Sequence, residues 1–491
     1  MRAIWLHFTT LLVPLAFSAG CNHPRQATPG DRPLEIVVPV DAETLDPRFA
    51  VDAVGLRATR LIHAGLVRLD PKTLLPVPYL ARGWQWVDDR TLRIELRSGL
   101  RFHSGAPFEA KDVVATLRAF ADPHVGSRHA RIVEPIAEVH AESATMVLIT
   151  LKRAHATLLT DLELPILRSD QANSAPSVDG KLDGLGPYRV THFERGEIDL
   201  APVAVVLPAP VHAVTIRTVH DENARALRLI AGDSDIELNV ISPTLLPSLE
   251  NREGSSIVAK PGANLTYAMF RSDRPPFDDV AMRRAFSSSI DREEITRTLL
   301  AGRAQPASTL LPPTLWAHSD AAPISFSPQP PPSRVPITLL TSTDRLRVTI
   351  ARFIAQELND AGWNVEVAPL ELGAMIARLN AGDFDAAILQ IPELAEPNTL
   401  RVFMHSTYIP PAGANRARVN DAQIDALLDA GDRATDTTER RRIYADLEAR
   451  NRDALYLVPL WHEDQVAVRS ARAKDFEPSA EGRWLGVATL R

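Results

Sequence analysis

Two short polar runs lie where an α/β chain most often does chemistry, just beyond the carboxyl ends of strands. Thr341-Ser342-Thr343-Asp344 follows an apolar run and opens a helical one. The hydroxyls of Thr341 and Ser342, with the free N–H groups of a helix start, suit an anion. The same residue types also serve as plain helix caps, through Thr343 or Asp344. The second run is Gln390-Ile391-Pro392-Glu393-Leu394-Ala395-Glu396-Pro397. Here Glu393, Glu396 and Gln390 are the ligand candidates, with a solvated loop acid as the plainer alternative. Three aromatics join them. Tyr267 and Phe270 fall on the alternating stretch 264–270, and Trp316 sits in a Pro-rich region. Each can turn a ring toward a cleft, and each can equally be core packing.

Other chemistries find little support. Gly232-Asp233-Ser234 has the form of a hydrolase nucleophile segment, but no Asp-x-x-His pairs with it near the end of the chain and no G-x-S-x-G occurs. The 14 histidines are scattered, without H-E-x-x-H or a pair at ligand spacing on one helix. No catalytic residue, dedicated metal site or cofactor is therefore expected. A net charge of −7, with no basic run, excludes nucleic acid as a partner.

The elements that must position these groups are legible in part. Residues 337–389 alternate strand, helix, strand, helix, strand. Ile350, Phe353, Ile354 and Leu358 mark one face of the first helix, and Gly362 stops it. That order predicts a parallel sheet with helices packed on it. Strands are expected at 34–40, 91–97, 214–217, 235–238 and 456–461. Helices are expected at 222–231, with Ala224, Leu227 and Ile230 inward, and at 422–430 and 438–452. Asp291, with Glu294 three residues on, has the form of a helix N-cap box. Six prolines between 321 and 336 predict a loop.

The stretch 63–120 reads HAGLVRLDPKTLLPVPYLARGWQWVDDRTLRIELRSGLRFHSGAPFEAKDVVATLRAF. It resembles the signature of the extracytoplasmic solute-binding proteins of peptide and nickel type, which serve ABC importers. Gly65-Leu66, Pro78, Leu80-Ala81, Trp84, Asp89, Thr91, Gly99, Phe102-His103, Gly105 and Pro107 fall on that pattern, and Ser104 stands where the family has Asp or Asn. Gly184-Leu185-Gly186-Pro187-Tyr188 and Ile290-Asp291-Arg292 extend the likeness. The resemblance implies an α/β, two-lobed periplasmic-binding-protein-like (type II) fold with an extra domain inserted in the first lobe. Lobe I would comprise 34–59, 184–270 and 466–491, the extra domain 60–183 and lobe II 271–465. Hinge crossings would lie near Phe270 and Val466. In the family the loop 390–397 reads "W..DY.DP". Glu393 falls on the Asp that pairs with a bound peptide's free amine, and Gln390 and Leu394 replace the two aromatics. Since nickel-complex and haem binders belong to the family, His103, His405 and His462 are further contact candidates. The implied mechanism is capture, not catalysis. A monomer closes on a small or peptide-like solute and docks on a permease. The alternative is a ligand-sensing surface lipoprotein that uses the same fold without an importer.

Residues 1–20 have the build of a secretory signal: Arg2, a short apolar core, then Ser18-Ala19-Gly20 before Cys21. Cys21 is the sole cysteine, which excludes an intramolecular disulfide. Its place resembles a bacterial lipobox, with Ser18 where Leu is usual, and implies a lipid anchor at Cys21 and an extracytoplasmic, membrane-tethered protein. Residues 21–33, polar and Pro-rich, suit a tether. Cys21→Ala is expected to move the protein into the aqueous phase of a detergent extraction. Aqueous partitioning of the wild type as well would remove the anchor.

Overall fold

The computed structural model describes residues 32–250 and 252–491. The expected signal segment, Cys21 and nearly all of the tether lie outside them. Two α/β halves share one strand, Leu457–Ser470, 14 residues long. Its first part pairs antiparallel with Leu265–Phe270, Met269 opposite Leu457. Beyond that strand lie Ala386–Ile391, then Pro336–Ser342, then Asn364–Leu370, the last three parallel to one another. The second part of the shared strand pairs with Ser255–Pro261 on one edge and Ile236–Leu238 on the other. From there the sheet continues through Leu34–Val38 and Val214–Thr218, in parallel, to the antiparallel hairpin Glu197–Pro202 and Tyr188–Glu194.

The chain changes half at 262–264 and again at 463–465, so Leu265–Phe270 already belongs to the second half. Side-chain amides tie these crossings to backbone. Asn264 accepts from the Glu463 N–H at 2.8 Å and donates to the Glu463 carbonyl at 2.7 Å. Asn239 accepts from the Val466 N–H at 2.8 Å and donates to Gln465. A Cβ at Gly262 would stand 2.3 Å from the Glu463 carbonyl oxygen, so the close approach of the two segments requires glycine there.

A separate four-stranded antiparallel sheet, Ala81–Asp88, Thr91–Leu96, Met146–Leu151 and Ile136–Ser143, carries the signature stretch. Leu92, Ile94 and Leu96 point inward as their alternation requires. Helix Ala110–Ala121 buries Val113, Leu117 and Phe120 against the same core. In the second half, helix Arg345–Asp360 buries Ile350, Ile354 and Leu358, and Asp344 caps it by accepting from the Arg347 N–H at 3.0 Å. Asp291 likewise accepts from the Glu294 N–H at 2.9 Å. The return half of that box is absent: Glu294 pairs with Arg297, and the Asp291 N–H points at Glu357, 3.3 Å away. Residues 318–335 contain neither helix nor strand. The Gln329 carbonyl accepts from the Trp363 indole at 3.0 Å and holds this loop to the second half.

One expected face is reversed. Helix Glu222–Ala231 buries Arg225, Ala226 and Leu229, and leaves Leu227 (64 %) and Ile230 (43 %) exposed. The guanidinium of Arg225 explains it. Arg225 donates to the carbonyls of Val219, His220 and Val240 at 2.7–3.1 Å, closing off backbone acceptors that the ends of two strands leave open. Charge-assisted bonds outweigh the burial of one more aliphatic side chain. Arg225→Met is expected to cost about 2–4 kcal/mol in urea unfolding, since hydrogen bonds to a charged group are lost and carbonyls are stranded. Leu227→Ser should stay within about 0.5 kcal/mol. Similar losses in both would restore the aliphatic face as the buried one.

Candidate functional site

A cavity of about 510 Å³ opens between two walls. One wall is helix Ala53–Ile62 with residues 129–135 and 153–165; the other is the loop and helix run 393–402 with Tyr408 and Asp432, and Arg483 closes the floor. Glu393 and Glu396 stand here because strand Ala386–Ile391 ends beside them and Leu394 anchors the loop, its N–H donating to the Ala263 carbonyl at 2.7 Å.

Both acids are already paired. Glu393 accepts from Arg483 at 2.5 Å and from Arg60 at 3.4 and 3.5 Å. Burial pushes its carboxyl up, but the charges of Arg60 and Arg483 outweigh that and hold it at about 2. Glu396 accepts from Arg440 at 2.5 Å and from the Asn398 N–H at 3.2 Å, and burial leaves its pKa raised in spite of that arginine. The other lining carboxylates are matched too. Glu163 binds Arg483, Asp161 lies 3.0 Å from His155, Glu134 lies 3.1 Å from Lys152, and Asp432 takes both Arg153 and His155. Among the described residues no carboxylate of this lining lacks a cationic neighbour. The amine-pairing role that the resemblance implies for Glu393 thus meets a carboxylate whose charge two guanidinium groups already neutralise.

The walls also touch each other. Asp432 accepts from Arg153 and His155, and its carbonyl accepts from the Ala156 N–H at 2.7 Å. Arg131 donates to the Ala412 carbonyl, and Thr160 reaches Glu396 at 3.5 Å. Tyr408 lies under two guanidinium groups, with Arg131 5.7 Å and Arg401 5.9 Å from its ring centre.

The remaining candidates are placed elsewhere. Tyr267 and Phe270 are fully buried core residues, and Phe270 stacks on Phe277 at 4.3 Å. A strand between two neighbours, covered on both faces, turns neither ring to the cavity. Trp316 packs behind the lining, under Arg440 at 5.0 Å. Thr341 is buried at the carboxyl end of an interior strand beside Ser342, and Gln390 accepts from Arg347 at 3.2 Å beside the Arg347–Glu463 pair. None of these six lines the cavity. His103 and His462 turn to backbone carbonyls at 2.9 and 2.6 Å, and His405 is buried beside Asp425 and Asp429. Ser234 is buried and donates to Glu237 at 2.8 Å. Among the described residues no group of three or more His, Cys, Asp or Glu could hold a metal ion, and no helix is long and apolar enough to cross a membrane. The arginines at 60, 131, 153, 401 and 483, with His155 and Tyr408, carried no sequence signal. They lie far apart in the chain, and only the fold brings them to one cavity.

The profile of the bacterial extracellular solute-binding proteins, family 5 (middle), matches residues 76–398. The chain belongs to this family. Family 5 supplies the extracytoplasmic solute-binding components of peptide- and nickel-type ABC importers. Curated relatives include the glutathione-binding protein GsiB of Salmonella paratyphi A, 25 % identical over 447 residues, 84 % of this chain and 86 % of that protein. Among solved structures, the substrate-binding protein CtaP of Listeria monocytogenes superposes with a TM-score of 0.83 at 22 % identity, over 94 % of this chain and 99 % of that one. NikA of Brucella suis, in complex with Fe(III)-EDTA, gives 0.83 at 21 %, over 94 % and 100 %. These neighbours show the two-lobed α/β fold of family 5.

His155 is the titrating member of the contact between the walls. Burial disfavours its cation, but hydrogen bonds and charge from Asp161 and Asp432 outweigh this and raise its pKa to about 9. A raised folded-state value means that the contribution is complete below the ordinary 6.5 and is lost as pH rises through about 9. The wild type is expected to lose roughly 3 kcal/mol across that window relative to His155→Gln in urea unfolding. An equal decline in both proteins would show that this imidazole carries no charge across the gap.

Proposed function

We propose that this protein captures a small peptide-type solute in the cavity between its walls, closes on it and hands it to a membrane permease while held to the membrane by a lipid on Cys21. The cavity carries the reading. Its volume of about 510 Å³ suits a small organic solute, it is lined by side chains from both halves and the inserted sheet region, and hydrogen bonds join its walls directly. The relatives named for glutathione binding make glutathione the first probe. Glu393 and Glu396 act here as lining groups held in place by arginines. Tyr267, Phe270, Trp316, Thr341, Ser342 and Gln390 support the walls from behind.

In this reading lobe I is formed by residues 34–59, about 184–262 and 466–491, the extra domain by 60–183, and lobe II by about 264–465. The hinge lies at 262–264 and 463–465, where the sheet changes half. The amide bonds of Asn264 and Asn239 hold the crossings together while backbone angles change. A solute favours the closed form only through its extra contacts there, which the two-sided lining supplies. The protein works as a monomer.

Small-angle scattering of the soluble mature protein, with and without glutathione at a concentration that saturates its calorimetric isotherm, tests this. A smaller radius of gyration in the bound state is expected. An unchanged radius at saturation would remove the closing motion, and a flat isotherm would remove glutathione as a solute.

A further inference from the structure

The charges of the cavity are not evenly satisfied. Its carboxylates are all paired, whereas its cations are not. Arg131 has no carboxylate within 4 Å among the described residues; its one hydrogen bond goes to the Ala412 carbonyl. A guanidinium carries five donors, so most of its fork stays available to a ligand. Across the gap, Arg401 gives one nitrogen to Asp429 at 2.7 Å, while its Nε and Nη1 are buried without a hydrogen-bond partner, so it contributes charge and not open donors. Tyr408 lies between these groups and orients both through its π face. Of the two guanidinium groups at this ring, only Arg401 has a carboxylate within 4 Å, Asp429, with Asp432 acting on it from farther off. Arg131 belongs to the inserted region, and Arg401 and Tyr408 to the opposite wall. A group held by Arg131 in the field of Arg401 would lie between the two walls.

We infer that the cavity selects its solute through an anionic group, a carboxylate, seated at Arg131 beside Tyr408 and Arg401, and not through an ammonium at Glu393. The inference rests on the cavity being the capture site. The planar fork of Arg131 matches a carboxylate in two parallel hydrogen bonds. Arg131 is exposed and so open to an entering ligand. An ammonium at Glu393 would instead have to displace Arg60 or Arg483 from a carboxylate that both already hold.

Calorimetry with matched probes separates the alternatives. The probes are trialanine, trialanine amide and N-acetyl-trialanine, with glutathione and its diethyl ester as a second series. Each is titrated into the soluble mature wild type and into Arg131→Gln, a surface change that leaves the core intact. Blocking the carboxylate is expected to weaken binding about tenfold or more, the scale of one hydrogen bond to a charged group, while acetylating the amine changes it less than about threefold. Arg131→Gln should weaken the free acids about tenfold and leave the amide unchanged. If the amide binds as well as the acid, or acetylation carries the loss, the inference is overturned while the capture site stands. If no probe in either series binds the wild type, the peptide-type reading of the cavity falls, and this inference falls with it.

Discussion

One buried cation fixes the geometry of this protein. The guanidinium of Arg483 is almost wholly shielded, and a charge in that position persists only if acids surround it. Glu163, Glu393 and Glu481 do so, and the first two lie 320 and 90 residues away in the chain. Desolvation works against the cation, but the three carboxylates overcome it and raise its pKa. The inserted region, the loop after strand Ala386–Ile391 and the C-terminal segment must therefore meet at one point. Losing any of these acids would strand part of a buried charge, at a scale of about 3–5 kcal/mol. The floor of the cavity is this meeting point.

That constraint also sets the chemistry of the cavity. An acid that stabilises Arg483 is no longer free to greet a cationic ligand, so Glu393 is structural in the same act that places it on the lining. The cations left over, at the far end beside Tyr408, become the groups with capacity to spare. If this cavity is the capture site, acids engaged by its own frame and an open guanidinium at Arg131 would make it discriminate by the sign of the ligand's charge before it discriminates by shape.

The crossing and the packed cores are kept apart in the fold. The strand Leu457–Ser470 runs through both halves, so the sheet is continuous where the chain crosses. On the edge between Leu265–Phe270 and Ile236–Leu238 the ladder gives way to side-chain amides at the crossing, while the other edge stays paired, and Gly262 removes the side chain that would separate the two segments. Short amides tied to backbone tolerate a change of angle better than an interlocked apolar layer does, because packed cores are close to crystalline in density. The apolar clusters lie to either side of the crossing.

Local pattern carried much of the fold. The strand and helix periods of 337–389, the inward face Val113-Leu117-Phe120, the cap at Asp291 and the unstructured proline-rich loop are all short-range consequences of side-chain spacing, and the structure contains each of them. The signature at 63–120 identified the family, since a motif is itself a local pattern. Apolar periodicity failed where hydrogen bonding outweighed it: Arg225 turned its helix to bury a charge against strand-end carbonyls. Of the candidate ligand residues, Glu393 and Glu396 reach the cavity because a strand's carboxyl end is readable from sequence, while Tyr267 and Phe270 lie in the core because alternation alone cannot say which faces are covered. The pairing of charges was beyond reach altogether. Whether an acid is free or spent depends on which arginine lies within 4 Å, and for Glu393 those arginines are Arg60 and Arg483, neighbours only after the chain has closed on itself.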